Sequence, residues 1–167
     1  MIYLVLGSNL GDREWNLEQA QALLAEALKV DMLCSRVLET EALGFEGPAF
    51  LNQALGFESD IAPEALLDLC QEVEVKLGRP RHAPEYDAAG RRIFHDRTID
   101  IDILKYNDLE IHTDRLVVPH PQLWERPYVQ ELLNDITRCH RKKYSRRSWR
   151  TPKSMVLFSS PAKSTTD

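Results

Sequence analysis

The order strand, helix, strand, strand, helix, strand predicts an α+β chain: a ferredoxin-like βαββαβ core, with an antiparallel sheet and helices on one of its faces. Three observations carry this. Ile2 to Leu6 is an unbroken apolar run, the pattern of a strand covered on both sides. Thr98 to Leu104 alternates between polar and apolar residues, strictly as far as Ile103, the pattern of a strand with two unlike faces. Two stretches of helical spacing separate the strands, and no internal repeat interrupts the order.

After the first strand, Gly7-Ser8-Asn9-Leu10-Gly11-Asp12 is turn chemistry with Asp12 placed as a helix cap. Leu17, Ala20, Leu24, Ala27 and Leu28 recur at helical spacing, giving a helix over 14–29. Met32 to Glu39 and Phe50 to Glu58 read as strands joined by a long connection, 40–49. Pro63 suits a first helical position, Leu66, Leu69, Val73 and Leu77 supply a stripe, and Gly78 suits the stop. Gly78 to Arg97 is a long loop rich in Gly, Pro, Arg and His; such loops are lids, binding loops or disordered segments. Leu109 to His112 and Arg115 to Pro119 are short strand candidates.

At 167 residues the chain is long enough for one domain with a substantial core. A hydrophobic fraction of 43% excludes a disordered chain, and a mean hydropathy of −0.37 excludes a membrane protein. No run approaches the ~20 apolar residues of a spanning helix, and no leader segment is visible before Ile2. Cys34, Cys70 and Cys139 lack metal-type spacing and read as reduced thiols, so a cytoplasmic location is expected. The net charge of −5 is uneven: from Thr137 onward nine Lys and Arg face one acid, a net +8, leaving −13 on residues 1–136. A boundary is therefore expected at 136, with 137–167 a basic, Ser/Thr-rich tail that is poorly ordered. A nucleic-acid arm is the other reading of those charges, and a nucleic-acid partner is not expected.

The most informative pair is Asp100 and Asp102. Two apart on a strand, they share the face opposite Ile99, Ile101 and Ile103, roughly 6.5–7 Å apart along the chain. Like charges on one strand face repel, and a hard divalent cation removes that repulsion while accepting phosphate oxygens as further ligands. Arg79, Arg81, Arg91, Arg92 and Arg97 fringe the pair from the long loop, and guanidinium forks suit polyphosphate oxygens. His120 stands between Pro119 and Pro121, which stiffen the backbone around it, and Arg126 follows. Gln71 and Glu74 share a helix face, which suits an adenine or ribose edge and equally a plain solvated face. Gly7 to Gly11 lacks the Gly-Lys-Ser/Thr ending of a P-loop.

Gly7-Ser8-Asn9-Leu10-Gly11-Asp12, Phe50-Leu51-Asn52, Arg97-Thr98-Ile99-Asp100-Ile101-Asp102-Ile103-Leu104, and Val118-Pro119-His120-Pro121 with Arg126 together resemble the 6-hydroxymethyl-7,8-dihydropterin pyrophosphokinase family. The likeness runs from Met1 to about Ile136. It implies transfer of the β,γ-pyrophosphoryl group of ATP to the pterin hydroxymethyl, with release of AMP, in folate synthesis. By the same resemblance Asp100 and Asp102 hold two Mg²⁺, and Arg79 and Arg97 are the catalytic-loop arginines that steady charge on the transferring group. Gln71, Glu74, Arg81, Ile103, Arg115, His120 and Arg126 match positions around ATP. Phe50 and Tyr128 match the two aromatic faces on the pterin ring, with Thr40, Ala42, Leu43 and Asn52 reading its edge. Phe94 best matches an aromatic that packs near the nucleotide in relatives. A monomer without membrane contact is expected. The alternative is a non-catalytic ferredoxin-like module that binds a small ligand or nucleic acid, which leaves the two strand carboxylates unexplained.

Overall fold

The computed structural model describes residues 1–80, 83–124 and 126–147. Its main sheet is antiparallel, with β1 (Ile2–Ser8) between β4 (Phe50–Phe57) and β5 (Asp100–Tyr106), and β2 (Leu33–Cys34) and β3 (Leu38–Thr40) both on the outer side of β4. The central place of β1 explains its unbroken apolar run, since neither face meets water. The elements α1 (Arg13–Leu28), α2 (Pro63–Lys76) and α3 (Pro127–Arg147) complete an α+β fold, and β6 (Ile111–His112) pairs with β7 (Val117–Val118) as a separate ribbon.

Local chemistry sets the helix ends. The Asp12 side chain accepts from Trp15 N at 3.0 Å and caps α1. Pro63 opens α2, whose missing amide would have had no partner there. At the other end Gly78 turns left-handed, φ +90°, and Arg79 N donates to Glu74 O at 3.0 Å. That closing turn delivers Arg79 directly beside Glu74.

Ile2, Leu4 and Leu6 of β1 pack with Leu17, Ala20 and Leu24 of α1 and with Leu66, Cys70 and Val73 of α2. The expectation of helices on one face holds for α1 and α2 and is corrected for α3. Its Val129 packs with Val5, Leu104 and Leu123, and its Leu132 and Ile136 pack with Ala54 on the opposite face. That face carries Tyr3, Val5 and Ala54, too much apolar surface to leave in water. Helix α3 crosses the expected boundary at 136 and runs to Arg147. Residues 148–167, the greater part of the expected tail, lie outside the described residues.

Two irregularities separate the observed strands from the expected ones. The single strand expected over 32–39 is split: Cys34 lies opposite Leu55 and Leu38 opposite Asn52, so one surplus residue interrupts pairing around Ser35. Ser35 mends the gap, its hydroxyl accepting from Ala54 N at 2.9 Å. On β5, Ile103 pairs with Leu4 and Lys105 with Tyr3, leaving Leu104 as an extra residue. Leu104 is buried against α3, while its carbonyl accepts from His120 N at 2.9 Å. The long loop 78–97 contains a small ribbon, Tyr86 bridging to Arg92, with Asp87 closing its turn onto Ala89 N and Arg91 N.

Candidate functional site

Ile99, just before β5, and Ile101 and Ile103 on it are buried in the α1–α2 core, so Asp100 and Asp102 emerge on the other face, opposite Gly7 and Val5 of β1. Asp100 is held on both oxygens: Oδ1 accepts from Arg79 Nη1 at 2.5 Å and Oδ2 from Arg97 Nη1 at 2.8 Å. Glu74 joins from α2, its Oε1 accepting from Arg79 Nη1 at 2.8 Å and from Ile101 N at 2.7 Å. Two carboxylates and two guanidiniums thus meet at one end of the sheet, with Asp102 next along β5.

The carboxylates are crowded. Burial, then the nearby charges of Asp100 and Glu74, push the Asp102 carboxyl well above the usual range. Burial likewise raises Glu74 to about 7, against the pull of Arg79. Among the described residues no three His, Cys, Asp or Glu side chains converge as a ready metal cage.

His120 stands beside the second aspartate, with Nε2 3.9 Å from Asp102 Oδ1. Its Nδ1 accepts from Gln122 N and Leu123 N, both at 3.2 Å, which places the ring proton of the neutral form on Nε2. Burial, then the charge of Arg126, holds its pKa below the ordinary value.

A cavity of about 360 Å³ opens between α2 and the long loop, and it brings Gln71, Glu74, Arg79, Phe94 and Arg97 together. The other residues expected around a nucleotide are placed differently. The Ile103 side chain is buried in the core. Arg115 is exposed and pairs with Glu64 at 3.1 Å and Asp68 at 2.5 Å, on the same side of α2 as Gln71 but nearer its start. Arg126 donates to the Tyr128 hydroxyl at 3.3 Å. Arg81 lies outside the described residues.

Across β1, Asn52 is buried and its Nδ2 donates to Thr40 Oγ1 at 2.8 Å. Gly7 leaves room beside it: a Cβ there would stand close, 3.3 Å from Asn52 Oδ1 and 3.4 Å from the Phe50 ring. The Phe50 ring has the Arg97 guanidinium 5.7 Å from its centroid on one side and meets the edge of Phe45 on another. Tyr128 stands elsewhere, on the first turn of α3 against the Val5–Leu104 cluster, so the two expected aromatic faces have separate neighbours. Ala42 is half-buried, and Leu43 is exposed on the connection between β3 and β4.

The family model described as 7,8-dihydro-6-hydroxymethylpterin-pyrophosphokinase (HPPK) matches residues 3–138. The chain belongs to this family. It is 38% identical over 138 residues to a 2-amino-4-hydroxy-6-hydroxymethyldihydropteridine pyrophosphokinase of Porphyromonas gingivalis, covering 81% of this chain and 90% of that protein. It is 40% identical over 136 residues to the protein of the same name in Bacillus subtilis, covering 80% and 76% respectively. A folate synthesis bifunctional protein of Arabidopsis thaliana is 32% identical over 136 residues, a stretch amounting to 26% of that longer chain.

HPPK membership makes the chain a transferase of folate synthesis, as the motif block around Asp100 and Asp102 led us to expect. The candidate site also contains residues to which sequence reasoning gave no role. Phe45 stacks on Phe94, ring centroids 6.5 Å apart, joining the 41–49 connection to the long loop. Asn9 is buried in the β1–α1 turn, though its neighbours in sequence read only as turn chemistry. Nothing in a Ser-Asn-Leu-Gly string distinguishes a solvated turn asparagine from a buried one.

Proposed function

We propose that this chain transfers the β,γ-pyrophosphoryl group of ATP to the hydroxyl of 6-hydroxymethyl-7,8-dihydropterin, in line and without a covalent enzyme intermediate. The pterin oxygen bonds to the β-phosphorus as the bond from that phosphorus to the α,β-bridging oxygen breaks. The hydroxyl proton is lost and AMP departs. The observation that carries this reading is the joint grip of Arg79 and Arg97 on Asp100, beside the Phe50 ring on one side and the cavity bearing Gln71 and Glu74 on the other. Acceptor and donor are thereby given adjoining places around one charged centre, which turns a bimolecular reaction into a positioned one.

Gln71 and Glu74 suit the base or ribose of ATP, with Arg81, Arg115, His120, Arg126 and the Ile103 backbone as its further contacts. Arg115 would have to leave Glu64 and Asp68 to serve there. Thr40, Asn52 and the backbone at Ala42 and Leu43 suit the pterin edge, and Phe50 with Tyr128 its faces. Arg79 and Arg97 stabilise charge on the moving group, each at present neutralised by a carboxylate that a bound polyphosphate would compete with.

The donor set also fits Mg²⁺. Asp100 and Asp102 offer hard oxygens on one face, and Asp102, its carboxyl pKa raised by burial and then by the charges of Asp100 and Glu74, is a site where a cation would relieve part of that crowding. We assign two Mg²⁺ to these aspartates; when bound they neutralise phosphate charge. The sheet order β2-β4-β1-β5 supports a ferredoxin-like core, and the family match over 3–138 supports a catalytic unit at about 1–136. We take the protein to act as a monomer in the cytoplasm. No helix among the described residues is long and apolar enough to cross a membrane.

AMP release tests the reading. Purified protein given ATP, the dihydropterin and Mg²⁺ should form AMP and pterin diphosphate in equal amounts. No AMP above a pterin-free control would overturn it.

A further inference from the structure

Asn9 is 2% exposed in the turn between β1 and α1, and its polar groups converge on the segment that delivers Arg97. Its own N donates to Arg97 O at 3.1 Å, while its Oδ1 accepts from Arg97 N at 2.8 Å. Its Nδ2 donates to Asp96 Oδ1 at 2.8 Å and to Pro48 O at 3.3 Å. One residue therefore grips the Arg97 backbone at both its donor and its acceptor, and ties the end of the long loop to the 41–49 connection.

The state of the Arg97 side chain shows that this grip matters. Its side chain is 14% exposed and bonds Asp100 through Nη1, while Nε is buried without a hydrogen-bond partner. A guanidinium free to choose would turn to satisfy that donor, because burying it unpaired is costly. It is instead held against Phe50 and Asp100 with a donor to spare, the posture of a group kept ready for an incoming anion.

We infer that Asn9 is a positioning residue for pyrophosphoryl transfer, acting through Arg97. The inference rests on the function proposed above. The role calls for a carboxamide. Aspartate would set a second carboxylate against Asp96, serine is too short to reach both partners, and alanine offers neither donor nor acceptor. A stem fixed at both backbone groups leaves the guanidinium little room to wander, and displacement of about 1 Å at such a centre can cost on the order of 100-fold in rate.

The test compares wild type, Asn9→Asp, Arg97→Ala, the Asn9→Asp/Arg97→Ala double variant and the Asn9→Asp/Asp96→Asn pair, each by steady-state AMP formation and thermal melting. Asn9→Asp should lower kcat about 10- to 100-fold with KM for both substrates little changed. The same substitution should cost nothing more once Arg97 is alanine, because the group being positioned is gone. The Asn9→Asp/Asp96→Asn pair, which exchanges donor and acceptor, should recover most of the lost kcat. Wild-type kcat in Asn9→Asp, or an undiminished loss in the Arg97→Ala background, overturns the positioning role. Should Asn9→Asp fail to fold, Asp96→Ala at its exposed position decides instead: lower kcat with an unchanged melt supports the role, and unchanged kcat overturns it. A wild type that makes no AMP overturns the proposed function and this role with it, whereas an active wild type with indifferent variants overturns this role alone.

Discussion

His120 turns Nε2 toward Asp102, 3.9 Å from its Oδ1, while two backbone amides occupy Nδ1. The imidazole is thus fixed in one tautomer with its proton aimed at the crowded carboxylates.

A titration follows from that arrangement. Burial and Arg126 lower the His120 pKa in the folded protein, so the unfolded chain binds this proton more readily. The stability contributed by neutral His120 is complete at neutral pH and is lost as pH falls below the ordinary value of about 6.5. Imidazole resonances followed by NMR should show His120 titrating below the ordinary value of about 6.5, and His120→Asn should flatten the acid limb of the melting curve. An imidazole titrating at or above 6.5 would contradict the geometry.

Asp102 gives the opposite slope. A carboxyl whose pKa is raised in the folded state binds protons more readily there, so its contribution to stability falls as pH rises. Without divalent cations, Asp102→Asn should melt at neutral pH no lower than wild type; with Mg²⁺ supplied, its turnover should be lower by orders of magnitude. A clearly lower melt would mean that Asp102 is held by partners rather than strained by neighbours.

Removing Asn52 should strike pterin affinity. Its carboxamide is buried between Gly7 and Thr40, and Asn52→Ala withdraws a donor and an acceptor that no neighbour replaces. The loss should be about 1–3 kcal/mol, roughly 5- to 150-fold in Kd, with ATP affinity nearly unchanged. Calorimetry with the pterin and a non-hydrolysable ATP analogue measures both, and equal affinities in the variant would remove Asn52 from the site.

Helix α3 should be part of the folding unit. Ile136 is fully buried against Ala54, so Ile136→Ala should cost about 2–5 kcal/mol in urea unfolding. A cost under about 0.5 kcal/mol, the range of surface substitutions, would mean that α3 does not seal that face.

Much of this architecture was legible because single residues announced it. Alternation placed Asp100 and Asp102 on one face, Asp12 and Pro63 marked helix starts, and Gly78 marked the stop that delivers Arg79 beside Glu74. What stayed hidden depends on distant partners. The apolar positions Val129, Leu132 and Ile136 give a helix by their spacing, yet nothing local says which side of the sheet it covers. The surplus residues at Ser35 and Leu104 are visible only once partner strands are aligned. Arg115 illustrates the same limit: its charge suits phosphate, but its present partners Glu64 and Asp68 lie 51 and 47 positions away in sequence.

The bulge at Leu104 has a consequence for deletion variants. Without Leu104 the rungs pairing Ile103 with Leu4 and Lys105 with Tyr3 would still follow in regular alternation, leaving the two acids where they stand. The carbonyl that moors His120 would vanish with it. One missing codon would be enough to uncouple the imidazole from the carboxylates while sparing both.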